Sequence, residues 1–88
     1  MTAATRTLKL RYFASLREAL GTDRESVTTT ADTVGALRQE LIARSDAHAD
    51  ALALGKAVRA AVNQVMANDT HALADGDEVA FFPPVTGG

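Results

Sequence analysis

The stretch Asp75-Gly-Asp-Glu-Val-Ala-Phe-Phe-Pro-Pro-Val-Thr-Gly-Gly88 holds the signals that decide the fold, because a turn, a strand and a tail follow one another in it. Its Asp75-Gly76 pair is a strong turn signal. Glu78 to Phe82 is predicted to form the last strand, which the two following prolines end because proline cannot donate to a strand ladder. Residues 83–88 are predicted to form a flexible tail whose prolines keep its root extended.

The tail closes on Gly87-Gly88, and neither residue has a Cβ. Such a terminus can thread a narrow channel and leaves its carboxylate sterically approachable. Six extended residues reach about 20 Å, enough to enter a pocket of another protein. Taken without its context, the glycine pair fits a frayed tail better, since chain termini are usually disordered.

Alternating residues 7–13 predict a first strand with one apolar face. That face holds Leu8, Leu10 and Tyr12, and the opposite face holds Lys9, Arg11 and Phe13. Ser15 and Glu18 have the spacing of a capping box at the start of a short helix, which Gly21 can end. The residue types at positions 25–30 have high strand propensity, so a second strand is predicted there, at an edge of the sheet.

A longer helix is predicted from about Val34 to Arg44, with Thr33 as its N-cap. Its buried stripe is Val34, Leu37, Leu41 and Ile42, whereas Arg38, Gln39 and Glu40 are expected to face solvent. Asp46 is expected to cap a shorter helical segment that runs to Leu52 and ends at Gly55. Strands then follow in residues 57–62 and 65–67, with Asn63-Gln64 as the turn between them.

The predicted order is therefore strand, helix, strand, long helix, short helix and three strands, an α+β arrangement with helices on one face of one sheet. In the last strand, Val79 and Phe81 should face the helices, while Ala80 and Phe82 should face outward. We expect this outer face to carry an apolar patch that a partner covers, because contiguous exposed apolar surface usually marks an interface. The other expected members of the patch are Ala57, Ala61 and Phe13.

Composition excludes several classes of function. A formal net charge of −2 with scattered arginines argues against nucleic-acid binding, which needs a basic stripe. No apolar run is long enough to span a membrane, and residues 1–5 read as a disordered lead rather than a secretory signal. The absence of cysteine excludes disulfides, thiolate metal sites and a cysteine nucleophile.

Candidate catalytic groups are equally scarce in the sequence. His48 and His71 lack metal-ligand spacing and are expected to be solvated, so no metal site is predicted. Asp75, Asp77 and Glu78 read as turn formers and solvated charges rather than a catalytic carboxylate pair. The chain is therefore expected not to be an enzyme on its own, but to bind or to be acted on.

The stretch 75–88 resembles the C-terminus of the molybdopterin synthase small-subunit family. The resemblance extends from Leu8 onward and includes residues 10–18, the helix start at residues 33–38 and residues 61–64. The Phe-Phe-Pro-Pro-Val-x-Gly-Gly tail is its most specific part. The chain departs from the family in its extended N-terminus and in its alanine-rich residues 47–54.

The length of 88 residues predicts one domain, at 1–82, with a tail at 83–88. The resemblance implies a ubiquitin-like β-grasp fold with a mixed five-stranded sheet. It also implies a cytoplasmic sulfur carrier that has no permanently bound cofactor. An activating enzyme would use ATP to adenylate the C-terminus, which then becomes a thiocarboxylate. The large subunit of the synthase would accept the sulfur and convert cyclic pyranopterin monophosphate into the dithiolene of molybdopterin. Family members assemble as two small and two large subunits.

The resemblance also assigns roles to residues of this chain. Gly88 would carry the reacting atom, Gly87 would give access to it, and Phe82 would contact the large subunit. The insertion tail would be Pro83, Pro84, Val85 and Thr86, and the outward patch adds Ala80 and Phe13 as partner contacts.

Three alternatives remain open from the sequence. One keeps the sulfur carrier but changes the recipient to thiamine synthesis or tRNA thiolation, against which the Phe-Phe-Pro-Pro element argues. Another is a ubiquitin-like modifier that is joined to lysines. The third is a β-grasp binding module with an inert tail.

Overall fold

The secondary structure follows the predicted order of strands and helices. The structure, a computed structural model, describes residues 4–53 and 57–83. In chain order the elements are β1 (Arg6–Tyr12), α1 (Ser15–Leu20), β2 (Arg24–Thr29), α2 (Val34–Ile42), α3 (Asp46–Leu52), β3 (Arg59–Val62), β4 (Val65–Ala67) and β5 (Glu78–Phe82). None of the helices in these residues has the length and apolarity needed to cross a bilayer.

The five strands form one mixed sheet in the order β2-β1-β5-β3-β4. β1 and β5 are parallel, and the other three neighbouring pairs are antiparallel. β2 lies at an edge as predicted, while the last strand of the chain lies at the centre. With helices packed on one face, this topology confirms the expected β-grasp fold.

The core lies between the inner face of the sheet and the helices. Leu8, Leu10 and Tyr12 are almost completely buried, as are Val79 and Phe81, so both predicted inward faces are confirmed. The rings of Tyr12 and Phe81 stack with their centroids 6.4 Å apart. Further core residues are Leu16, Val27, Ala31, Val34, Leu37, Leu41, Ala51, Leu52, Ala60, Val62 and Leu73.

The start of α2 is as predicted, but its end and the start of α3 differ. Thr33 Oγ1 accepts a 3.1 Å hydrogen bond from the backbone N–H of Ala36. The helix ends two residues early because Arg44 N–H bonds to the carbonyl three residues back, which tightens the last turn. α3 is capped by Ser45 rather than Asp46, since the Ser45 hydroxyl accepts from the His48 N–H.

The capping box predicted at Ser15 is absent. The backbone N–H of Phe13 still bonds to the Phe81 carbonyl of β5, and the chain then turns at Ala14, which has φ +53°. Ala14 is consequently the N-cap, without a side-chain bond, and Ser15 is already helical. Gly21 ends the helix in the left-handed conformation, as predicted.

Arg38 is buried, which corrects the prediction that it faces solvent. Its side chain is covered by α3, and it donates hydrogen bonds to the carbonyls of Leu52 (2.7 Å) and Ala53 (2.6 Å). These carbonyls lie at the C-terminal end of α3, where no helical N–H is available to them. Arg38 therefore fastens α2 to α3, and Gly55, the predicted helix end, lies outside the described residues.

His48 also differs from its prediction, because it is not solvated. Its side chain is 15% exposed, and its Nε2 lies 3.1 Å from Glu25 Oε2. Its Nδ1 lies 2.7 Å from Ser45 Oγ. His71 is exposed as expected, and among the described residues no group of three or more histidine and carboxylate side chains could hold a metal ion.

The acidic turn before β5 has the structural role that the sequence predicted. Asp75 accepts from the Thr7 N–H at 2.6 Å, and Gly76 has φ +88°. Asp77 accepts from the Ala74 N–H and from the Asn63 amide, and these two bonds hold the pKa of its carboxyl below the usual value. The carboxylates thus fix where the central strand begins.

Candidate docking face

The strand that leads into the tail is held on both sides. Ala80 of β5 pairs with Arg11 of β1 and with Ala61 of β3. Phe82, the last residue of β5, pairs with Arg59. The point from which the chain runs toward its C-terminus is therefore fixed by two neighbouring strands. The predicted site residues Pro84, Val85, Thr86, Gly87 and Gly88 lie outside the described residues.

A cavity of about 280 Å³ lies on the outer face beside this point; we call it the aromatic pocket. Ala61 and Ala80, which pair directly, leave room at its floor. Phe13 is 42% exposed and Phe82 is half-buried, and both line it. Its complete lining is Arg11, Phe13, Ala61, Gln64, Glu78, Ala80 and Phe82. The structure thus brings together three of the residues predicted to contact a partner, Phe13, Ala80 and Phe82.

Pro83 and Ala57 lie elsewhere. Pro83 is half-buried in a cavity of about 240 Å³ formed largely by α1, α3 and Val58. Ala57 lines the same cavity, so it does not belong to the outward patch as predicted, because β3 begins only at Arg59 and the alternation does not extend back to residue 57. The root of the tail therefore rests on the helical side of the strand.

Met66 extends the apolar surface, and sequence reasoning did not single it out. It pairs with Ala61, which places it on the outer face, and it is 56% exposed. Its neighbour Val65, at the edge of the sheet, is 65% exposed. The signal in the sequence was the short apolar run of β4, whose large side chains had no predicted partner in the core.

Arg11 is the second residue that the sequence reading left without a role. Its Nη1 lies 3.2 Å from Glu78 Oε1, and its guanidinium carbon lies 5.3 Å from the ring centroid of Phe13. A cation over an aromatic face is attracted by the ring quadrupole. The Glu78–Arg11 pair therefore orients the exposed ring of Phe13 at the rim of the aromatic pocket.

The outer face combines the apolar floor of the aromatic pocket with an ion pair at its rim. The Arg11–Glu78 ion pair of this face contacts Phe13, and the carboxylates of the preceding turn accept hydrogen bonds from backbone N–H groups. A rigid apolar surface beside the strand that precedes the C-terminus is suited to dock a second protein and to present the chain end to it.

Several known proteins are similar to this chain in sequence and in architecture. The model of the ThiS family matches residues 10–88. The molybdopterin synthase sulfur carrier subunit of Escherichia coli (strain K12) is 54% identical over 81 residues, which cover 92% of this chain and 99% of that protein. The small archaeal modifier protein 1 of Haloferax volcanii is 30% identical with a TM-score of 0.75, covering 91% of this chain and 99% of that one.

One similar structure contains two proteins. It is the protein–protein complex of subunits 1 and 2 of the molybdopterin-converting factor from Helicobacter pylori 26695, in which the matching chain is 26% identical with a TM-score of 0.61. The match covers 93% of this chain and 99% of that one. Because the family model matches residues 10–88 and the 54% identity extends over 92% of the chain, the chain belongs to the ThiS family and, within it, to the molybdopterin synthase sulfur carrier subunits.

Proposed function

We propose that this chain is the sulfur-donating small subunit of a heteromeric molybdopterin synthase and carries sulfur as a thiocarboxylate on Gly88. The observation that supports this most directly is that Ala80 and Phe82 of the docking face lie on the strand that runs into the Gly-Gly end. A partner that binds this face would therefore lie beside the strand end from which the tail begins. The 54% identity to a sulfur carrier subunit gives independent support.

Loading begins with the terminal carboxylate, which is a poor electrophile. An oxygen of the Gly88 carboxylate attacks the α-phosphorus of ATP on an activating enzyme, and pyrophosphate leaves. Hydrosulfide released by a donor then attacks the acyl carbon: the C–S bond forms, the C–O bond to the phosphate breaks, and AMP leaves with that oxygen. The sequence contains no cysteine, so sulfur is held on the main-chain terminus rather than on a thiol.

Delivery follows when the outer face docks on the large subunit. Phe82, Ala80 and Phe13 provide the contact, and residues 83–86 place the thiocarboxylate in the active site of the large subunit. Holding the reacting sulfur at its target replaces a bimolecular encounter by a nearly intramolecular step. Two successive transfers convert cyclic pyranopterin monophosphate into the dithiolene of molybdopterin, and hydrolysis returns each acyl group to a carboxylate. The proposed assembly holds two small and two large subunits.

Intact-mass spectrometry after incubation with ATP, the activating enzyme and a sulfur donor tests the loading step. The expected result is a mass increase that corresponds to the exchange of one oxygen for one sulfur. A variant that lacks Gly88, and another with one residue added after it, should remain unloaded while unfolding at the same urea concentration as the wild type. Sulfur transfer by either variant would disprove the mechanism.

A ubiquitin-like modifier is the second candidate, favoured by the likeness to the small archaeal modifier protein 1. Both functions would begin with activation of Gly88, and they diverge in the acceptor of the acyl group. The same mass measurement in the presence of cell proteins separates them: a modifier gives adducts joined by isopeptide bonds, whereas a carrier gives the sulfur exchange alone.

A further inference from the structure

A second cavity of about 240 Å³ adjoins the aromatic pocket on the outer face; we call it the basic pocket. The two cavities share Arg11 and Glu78, so the ion pair between these residues forms the boundary. The basic pocket is lined by Lys9, Leu10, Arg11, Arg24, Glu25, Ser26 and Glu78. The docking face thus has an apolar half and a charged half, side by side.

Strand register concentrates positive charge in the basic pocket. Arg11 stands directly opposite Arg24 across β1 and β2, and Lys9 stands opposite Ser26. Like charges that face each other across a ladder are unfavourable, so this arrangement does not serve the free fold. The lining holds three cations and two carboxylates, so the basic pocket has a net positive charge although the whole sequence has a formal net charge of −2.

The carboxylates nearby do not neutralise this cluster. Glu78 stands opposite Lys9 in the β1–β5 register, but its ion pair is with Arg11, at 3.2 Å. Glu25 pairs with Arg44 and His48 instead. Arg24 lies 3.7 Å from Asp23, but both side chains are largely exposed to solvent, which leaves the attraction weak. Lys9 has no ion pair with any of the residues 4–53 and 57–83.

Arg11 also has hydrogen-bonding capacity left over. Its Nε is shielded from solvent and lacks an acceptor within the described part of the chain. A buried N–H without an acceptor is rare, and a guanidinium favours a carboxylate that it can grip with two N–H groups. A small shift of Arg11 toward an incoming carboxylate would satisfy this group and would place the new negative charge between Arg11 and Arg24.

We propose that the basic pocket receives an acidic side chain of the large subunit, next to the apolar group that enters the aromatic pocket. This inference rests on the proposed function and names a second feature by which the partner recognises the carrier. Charges at the rim of an interface mainly steer the encounter, so the contribution should appear in the association rate and in its dependence on salt.

Stopped-flow association with the large subunit tests the inference, using Lys9→Gln, Arg24→Gln and the control Gln39→Glu. Each substitution lowers the net charge by one, and Gln39 is exposed on α2, away from the outer face. At low ionic strength the two pocket variants should associate about three- to tenfold more slowly and should show a shallower salt dependence, since steering depends on local charge. The control Gln39→Glu should change the association rate by less than about twofold. Arg24→Lys, which keeps the positive charge, should associate at the wild-type rate.

The outcomes separate this inference from the proposed function. If wild type binds the large subunit but the pocket variants match Gln39→Glu in rate and in salt dependence, the basic pocket is not a recognition site. If wild type neither binds the large subunit nor becomes loaded with sulfur, the proposed function itself fails. Equal midpoints of urea unfolding for all four variants exclude misfolding as the cause of a slower rate.

Discussion

The hydroxyl of Tyr12 donates a 2.8 Å hydrogen bond to Oε2 of Glu25. The same carboxylate lies 3.1 Å from His48 Nε2 and, through Oε1, 3.1 Å from Arg44. β1, β2 and α3 therefore meet at one carboxylate. Because the Tyr12 ring also stacks on Phe81, this network connects the third helix to the central strand.

Glu25→Gln should remove the part of the folding stability that the wild type loses when the pH falls and Glu25 becomes protonated. Burial raises the pKa of the Glu25 carboxyl, but the hydrogen bonds from Tyr12 and His48 and the charge of Arg44 outweigh it, so the pKa lies below the usual value. A lowered pKa gives stability that is complete above the unfolded pKa of about 4.3 and is lost as the pH falls through the folded pKa.

Urea unfolding at a series of pH values measures this effect. The free energy of unfolding of wild type should fall more steeply below about pH 4.3 than that of Glu25→Gln. Parallel curves for the two proteins over the acid range would contradict the role assigned to the carboxylate.

Tyr12→Phe tests the other end of the pH scale. Burial and the hydrogen bond to Glu25 raise the pKa of the Tyr12 phenol well above its usual value. Above about pH 10 the Tyr12 phenol ionises in the unfolded chain but stays neutral in the folded chain. The wild type therefore loses the stability that this phenol contributes, and the phenylalanine variant has no such loss. At neutral pH the variant should be less stable by about 1 kcal/mol, the usual cost of one hydrogen bond.

Phenolate absorbance gives a direct readout, because Tyr12 is the single tyrosine of the sequence. Phenolate should form only when the chain unfolds. A titration of the folded protein with a midpoint near pH 10, as for a free phenol, would show that the buried hydrogen bond does not persist in solution.

Arg38→Met should destabilise the junction of α2 and α3 by about 2–3 kcal/mol. It removes the donor to the Leu52 carbonyl, in a buried bond, and the donor to the Ala53 carbonyl, in a partly buried one. Hydrogen exchange should show faster opening of the amides of α3 than in wild type. Gln39→Met on the exposed side of α2 is the control and should change little; equal effects of the two variants would refute the role of Arg38.

Phe81→Ala should mainly lower stability and Phe82→Ala should mainly weaken binding, although the two residues are adjacent. Phe81 is 1% exposed, so its truncation should lower the free energy of unfolding by about 3–5 kcal/mol. Phe82 lines the aromatic pocket, so its truncation should cost about 1 kcal/mol of stability or less while weakening binding to the large subunit by about 2 kcal/mol. Calorimetric titration and urea unfolding of both variants distinguish the two roles. Global unfolding of Phe82→Ala would show that its side chain belongs to the core.

Local patterns predicted most of this fold because each signal concerned a few neighbouring residues. The period of two in β1 and β5 predicted which side chains are buried, and the hydroxyl of Thr33 predicted the start of α2. The aromatic pocket was predictable for the same reason, since alternation alone turns Ala80 and Phe82 outward.

The errors concern residues whose environment is made by distant parts of the chain. Arg38 looked solvent-facing on its own helix, and only the return of α3 buries it. His48 looked solvated because Glu25, 23 positions away, was not known to be its neighbour. The basic pocket was hidden for the same reason, because it depends on the register that brings Arg24 opposite Arg11.

The central position of β5 has a mechanical consequence. An enzyme that draws the C-terminus into a channel would pull along the axis of this strand, which is bonded to β1 on one side and to β3 on the other. Such a load acts on both ladders in shear, so many hydrogen bonds resist it together instead of opening one by one. A pull on the chain beyond Phe82 therefore strains both ladders at once and does not peel β5 from the sheet one hydrogen bond at a time.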